Sequence, residues 1–356
     1  MVTHQDLVVA VVFTVTSRRT ASAASDFGPP STRTRDGKFV SKPLGAYMYR
    51  RLAYSALAVL VLALLVGVYL FGRSTSTPSA SAATTSTTLN TTAPVSGFYL
   101  DIGGSASLGF QPDGVLHHNG KRTDEGYAND VIALEAKNIA FHLRQVGCPG
   151  ETVQSMLGLF ANHCYHLPTT QLSKSVQALI ADGDEEGLVT IDLGFNNIRP
   201  CMLATGVSQF CVDQGVNYVR HDMPKILKIL QGAAGPNVHF VGLEYSDPFL
   251  GYYLDNTDGP AVATETLNAM TLMNNTLAAA YGAAGIPVAN VPGAYESDDV
   301  SPHTMANVGT IPTNVAVACQ WTWMCTPPPF GPDDHPNNAG YMIIAKSIVV
   351  RLPTKW

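Results

Sequence analysis

The chain has 356 residues, of which 46% are hydrophobic and 13% charged, and a formal net charge of −6. The charge is unevenly spread: residues 1–73 hold nine Lys/Arg and three Asp/Glu, leaving 12 Lys/Arg and 24 Asp/Glu beyond them. So acidic a C-terminal part argues against nucleic-acid binding, which needs a basic stripe.

In chain order, residues 1–47 have a Ser/Arg/Pro/Gly-rich centre without helical or strand period and read as a disordered cytoplasmic segment. The apolar run Leu7 to Val15 is too short to span a bilayer. Within 48–73, Leu52 to Phe71 is a 20-residue stretch without charge, long enough to cross. Arg50-Arg51 precede it and only Arg73 follows, so the basic side is expected inside and the acidic part outside. Two readings stand: a permanent signal anchor, or a signal peptide starting at Met48 and cut near Ala80-Ser-Ala82. The length favours the anchor. Residues 74–96 form a linker, in which Ser74 to Ser96 carries no charge and has 14 Ser/Thr among 23 residues. Residues 97–356 are then one exported domain.

Within that domain strand-like and helix-like segments alternate. Phe98–Ile102, Leu188–Leu193, Val238–Leu243 and Val288–Val291 read as strands. Asn129–Val146, with apolar residues at 132, 136, 139, 143 and 146, reads as a helix stopped by Gly147. Further helices are expected over Gln171–Ile180, Met223–Leu230, Thr264–Tyr281 and from His335-Pro336 to about Val350. The alternation predicts an α/β fold, a parallel sheet with helices on both faces, whose active site lies at the strands' C-terminal ends.

Ser105 falls at such an end, after Phe98–Ile102 and Gly103-Gly104. A serine hydroxyl needs a base, and His335 stands beside Asp333 and Asp334 in a Pro- and Gly-bounded loop. Two loops offer oxyanion donors: Gly147-Cys-Pro-Gly-Glu-Thr152 a backbone amide, Gly194-Phe-Asn-Asn197 a side-chain amide. All six cysteines lie beyond the linker as Cys148/Cys164, Cys201/Cys211 and Cys319/Cys325. An even count in an exported domain reads as disulfides, and nearest-neighbour pairing is the simplest connectivity. The spacings fit no common zinc pattern.

Taken together and in this order, these blocks resemble the SGNH (GDSL-type) hydrolases, and more narrowly their secreted bacterial lipase/esterase branch with three disulfides. The resemblance covers about Phe98 to Leu352. It is carried by Gly103-Gly-Ser105 with Gly109, Cys148-Pro-Gly-Glu-Thr152, Leu193-Gly-Phe-Asn-Asn197 and His335-Pro-x-x-Ala-Gly-Tyr341, with Gln171-Leu172 and Tyr245-Ser-Asp-Pro-Phe249 in support. It implies a three-layer, flavodoxin-like sheet. It also implies Ser105 as nucleophile, His335 as base, an acid from the His loop, and an oxyanion hole made by the Ser105 amide, the Gly150 amide and the Asn196 side chain.

Three positions depart from the pattern. Gly104 stands where the family has aspartate, Asn197 where Gly-x-Asn-Asp ends, and Pro332 where the triad acid usually lies. The resemblance implies Asp333 as the acid, because this branch often has Asp-x-His-Pro, with Asp334 in reserve. Ser107 is a rival nucleophile two residues past the expected position.

The remaining residues carry less chemistry. His117, His118, His163, His166 and His221 read as surface or loop histidines, and Asp247 as a loop cap. Asn90 and Asn274 start N-x-Thr sequons. Trp321, Trp323 and Phe330 either line an acyl pocket or pack over the Cys319/Cys325 loop. The expected activity is hydrolysis of carboxylic esters, lipid or short-acyl, through an acyl-enzyme. The alternatives are a carbohydrate O-acetyl esterase and a catalytically weakened cell-surface binding module. No metal or organic cofactor is implied. The expected partners are a small-molecule or lipid ester and, through one N-terminal helix, the membrane. The ectodomain is expected to be monomeric.

Overall fold

The computed structural model describes residues 94–115, 120–255 and 257–356. The expected span Leu52–Phe71, most of the linker with Asn90, and His117-His118 lie outside the described residues. Among the described residues no helix is long and apolar enough to cross a membrane.

Five strands form the central sheet: β1 (Val95–Gly103), β2 (Ile139–Gln145), β3 (Glu186–Asp192), β4 (Val238–Leu243) and β5 (Val288–Ala289). They are all parallel, in the order β2-β1-β3-β4-β5. This is the flavodoxin-like doubly wound order. Among the described residues, six helices of nine or more residues flank it: α1 (Tyr127–Glu135), α2 (Gln171–Asp182), α3 (Gln209–Ala233), α4 (Gly259–Ala283), α5 (Thr313–Trp321) and α6 (Asn338–Val349).

Side chains alternate across a strand, so a strand covered on both faces needs apolar residues at consecutive positions. In β1 that run is Phe98 to Leu100, with Ile102 beyond. Phe98, Leu100 and Ile102 pack with Leu179 of α2, Val216 of α3 and Leu277 of α4. Tyr99, between them in sequence, faces the other layer with Tyr127 of α1 and Tyr341 and Ile348 of α6. The chain leaves β1 for β2 on one side and returns to β3 on the other. That reversal opens a crevice at the C-terminal ends of β1 and β3, where doubly wound folds bind ligands.

One predicted helix is corrected. Asn129–Val146 is not continuous: α1 ends at Glu135, and Ile139–Gln145 is the edge strand β2. Apolar residues at 139 and 143 fit a helical i, i+4 step, but four residues are also two strand periods. The burial of β2, buried at 139, partly buried at 141, 143 and 145 and exposed between, shows the strand. Further boundaries differ: β1 begins at Val95, inside the expected linker 74–96, and three others differ beside a proline. α3 is longer than Met223–Leu230 and runs through Pro224. α4 begins at Gly259 with Pro260 in its first turn, where proline's missing N–H is tolerated. The strand read over Val288–Val291 ends at Ala289, before a turn containing Pro292.

Three disulfides are present, Cys148–Cys164, Cys201–Cys211 and Cys319–Cys325, and no described cysteine is free. Each staples a loop at the strand ends: the first closes the loop holding Gly150, the second ties the turn after β3 to α3, the third ties α5 to the approach to His335. Cys148–Cys164 has the largest separation, 16 residues. Replacing both of its cysteines with serine is expected to destabilise the domain by about 3 kcal/mol in the chain-entropy picture. Calorimetry should show a fall in Tm of roughly 6–12 °C; an unchanged Tm would contradict the assignment of this bridge as a staple.

Candidate active site

The turn that carries Ser105 is built by backbone pairing. β1 ends at Gly103, whose amide donates to Gln171 Oε1 (3.0 Å) and whose carbonyl accepts from Gln171 Nε2 (2.9 Å) and the Cys148 amide (3.0 Å). A Cβ at 103 would stand 2.2 Å from the Asp192 carbonyl oxygen, so only glycine lets β1 and β3 approach this closely. The Gly104 amide donates to that same carbonyl (3.0 Å), and a tight turn over Ala106–Leu108 then follows Ser105.

The charge system is assembled around this turn. Ser105 Oγ lies 2.7 Å from His335 Nε2, and His335 Nδ1 lies 2.7 Å from Asp333 Oδ1. Asp333 Oδ1 also accepts the His335 amide (2.9 Å), so one carboxylate fixes both the backbone and the ring of the histidine. With Nδ1–H donating to Asp333, Nε2 is left to accept the serine proton. Asp334 is committed elsewhere: it forms a bidentate pair with Arg199, through Nε and through Nη2 at 3.1 Å, and its Oδ1 stays 3.7 Å from His335 Nδ1. Of the two carboxylates considered, the structure brings Asp333 into hydrogen bonding with His335.

Electrostatics follow the geometry. Burial disfavours the Asp333 carboxylate, but its hydrogen bond to His335, the imidazolium charge and Arg199 outweigh this and hold it below the ordinary range. Burial likewise disfavours the His335 imidazolium, yet the Asp333 hydrogen bond and the charges of Asp334 and Asp333 raise it above 6.5.

Ser107 lies outside the Ser105–His335–Asp333 chain. Its buried hydroxyl donates to the Gly104 carbonyl at 2.8 Å and so supports the turn.

Gly150 and Asn196 line one cleft with Ser105 and His335. Gly150 has a φ of +77° with open space where a Cβ would be. Asn196 Nδ2 lies against Gly104, 2.8 Å from the position of an absent Cβ. Two departures from the resembled family thus have local readings. The missing side chain at 104 makes room for the Asn196 amide. Asn197 accepts the Val153 amide (3.2 Å) and donates to Gln154 Oε1 (2.6 Å), lacing the Asn196 turn to the Gly150 loop. That loop is further held by buried Glu151, which accepts from Ser155 and Asn162 (2.6 Å each) and from Gln171 (3.2 Å). Burial pushes Glu151 up to about 7 against the hydrogen bonds from Ser155 and Asn162.

Other expected residues fall outside this constellation. His163 lines the cleft. His166 sits in an exposed turn, and His221 is on the surface beside Asp222 and Lys225. Asp247 caps the next turn by accepting the Phe249 amide (2.9 Å). The Asn274 side chain is spent on the Tyr245 backbone, at 2.9 and 2.8 Å, inside the fold. Trp321 packs on Tyr295, and Trp323 stacks on Phe330. None of the three is on the cleft wall, which is made by Phe110, Phe249 and Tyr252. Sequence reading missed Arg199 and Asp192. The acidic end of β3, Ile191-Asp192, is a signal for Asp192 and not for Arg199.

Among the described residues, two groups bring donor atoms within 4.8 Å of one another, Asp333/Asp334/His335 and Cys148/His163/Cys164. In the first the carboxylates are engaged by His335 and Arg199; in the second both sulfurs are in a disulfide. Neither donor set is free to ligate a metal.

No family profile matches the chain, and no curated protein matches it. Solved structures do. It is similar to phospholipase A1 from Streptomyces albidoflavus NA297, at 17% identity over 72% of this chain and 99% of that one, with a TM-score of 0.48. An extracellular lipase from Streptomyces rimosus is similar at 17% identity over 72% and 100%, TM-score 0.48. The acetylxylan esterase Axe2 from Geobacillus stearothermophilus is similar at 13% identity over 74% and 97%, TM-score 0.40.

Proposed function

We propose that this domain is a serine hydrolase that cleaves carboxylic esters through an acyl-enzyme. The carrying observation is the Ser105–His335–Asp333 chain, two contacts of 2.7 Å each. Ser105 Oγ attacks the ester carbonyl carbon while its proton passes to His335 Nε2. The oxyanion is received by the Ser105 and Gly150 amides and Asn196 Nδ2. His335 then protonates the departing alcohol. Water attacks the acyl carbon, gives a proton to His335, and Ser105 leaves with that proton as the carboxylic acid is released.

The cleft in front of Ser105, about 660 Å³ with Phe110, Phe249 and Tyr252 on its walls, is of a size and apolarity suited to a small-molecule or lipid ester. Three disulfides favour an oxidising, extracellular setting. The uncharged stretch Leu52–Phe71 would tether the domain to the membrane.

A fluorophosphonate probe tests the reading. Covalent labelling of Ser105 in the folded protein is expected; failure to label would leave only a binding module. Asn196→Ala is expected to lower kcat by about 10²–10³ with a smaller effect on KM, as for a donor used mainly in the transition state. A change confined to KM would make Asn196 a substrate contact only.

A further inference from the structure

A second, narrower cavity opens from Ser105 toward the sheet. It measures about 70 Å³, half of the roughly 150 Å³ in which a protein interior holds benzene. On that scale it has room for about three non-hydrogen atoms beyond a carbonyl carbon. Leu243, Val291 and Ile344 make its apolar wall, and Gly104 adds only backbone.

Asp192 is one of the polar groups on the lining, with Asn196, Arg199, Glu244, Ser246 and Asp334. It is only 4% exposed, it lines this cavity, and its Oδ2 has no hydrogen-bond partner. A buried carboxylate oxygen without a donor is costly, and a donor placed against it recovers that free energy. Burial pushes the group up to about 6, against hydrogen bonds from Tyr245 and the Ser107 amide and the His335 charge. It is therefore mainly an ionised acceptor at neutral pH.

The two halves of an ester separate at Ser105. The alcohol takes its proton from His335 and departs, and water must follow, which suits the wide cleft. The acyl group stays on Oγ, which suits the narrow cavity. We propose that the acyl half of the substrate is a short hydroxyacyl group, of about two or three carbons, whose hydroxyl donates to Asp192 Oδ2. This rests on the acyl-enzyme reading above. A plain alkyl chain would leave the carboxylate unpaired, and sites built to hydrogen-bond a substrate hydroxyl reject analogues that lack it.

The test compares kcat/KM for methyl glycolate, methyl 3-hydroxypropionate, methyl butyrate and methyl octanoate by pH-stat, on the wild type, Asp192→Val and Asp192→Asn. One hydroxy ester is expected to exceed butyrate at least tenfold in the wild type, with octanoate at least tenfold below butyrate. Asp192→Val should lose the hydroxyl preference, and Asp192→Asn should keep part of it. The proposal is overturned if butyrate equals both hydroxy esters, if Asp192→Val keeps the preference, or if octanoate is favoured. Fluorophosphonate labelling of the same preparations separates the two levels. A labelled wild type without hydroxyl preference sinks this inference alone; an unlabelled wild type sinks the hydrolase reading with it.

Discussion

Ser105→Ala is expected to lower kcat on p-nitrophenyl butyrate by about 10⁴–10⁶-fold, the range found when a serine hydrolase loses its nucleophile and keeps only binding and its oxyanion hole. The fold should survive, because Ser105 Oγ contacts only His335 among the side-chain hydrogen bonds described here. Ser107→Ala is the control. It removes the 2.8 Å bond to the Gly104 carbonyl and should destabilise by about 1 kcal/mol, with activity kept within roughly tenfold. An inactive Ser107→Ala beside an active Ser105→Ala would reverse the assignment.

The second large effect is expected at Asp333. Asp333→Asn removes the charge that supports the imidazolium and offers His335 Nδ1 the wrong partner, so kcat should fall by about 10²–10⁴-fold. Asp334→Asn should cost at least tenfold less, because Asp334 serves Arg199 and stands 3.7 Å from the ring. Small, equal effects in two folded variants would mean that neither carboxylate orients the histidine.

A pH profile adds a second readout. His335 works as a base only when neutral, and its raised pKa delays proton loss, so the acid limb of kcat/KM should lie above pH 6.5. Removing the Asp333 charge lowers that pKa, so the limb should move down in Asp333→Asn. A limb that stays in place would show that it reports another group.

The parts legible in the sequence were those governed by local physics. An uninterrupted apolar run bounded by glycines marks β1 whatever surrounds it, because a strand covered on both faces must be apolar at successive positions. Ser105 at its end, His335 with two adjacent acids, and cysteines spaced 16, 10 and 6 residues apart could be seen for the same reason: neighbours in sequence remain neighbours in space. What tertiary structure alone decided depends on distance and direction. In the sequence, only the resemblance puts Asp333 ahead of Asp334. Arg199, 135 residues from Asp334 and on the turn after β3, draws that carboxylate away and leaves Asp333 to the histidine. The edge strand Ile139–Gln145 was hidden because a four-residue apolar step satisfies both helix and strand, and only pairing with β1 breaks the tie. Asp192 looked like the polar end of an ordinary strand. Burial beside Ser105 with an unpaired oxygen is a property of the assembled sheet, which no window of sequence contains.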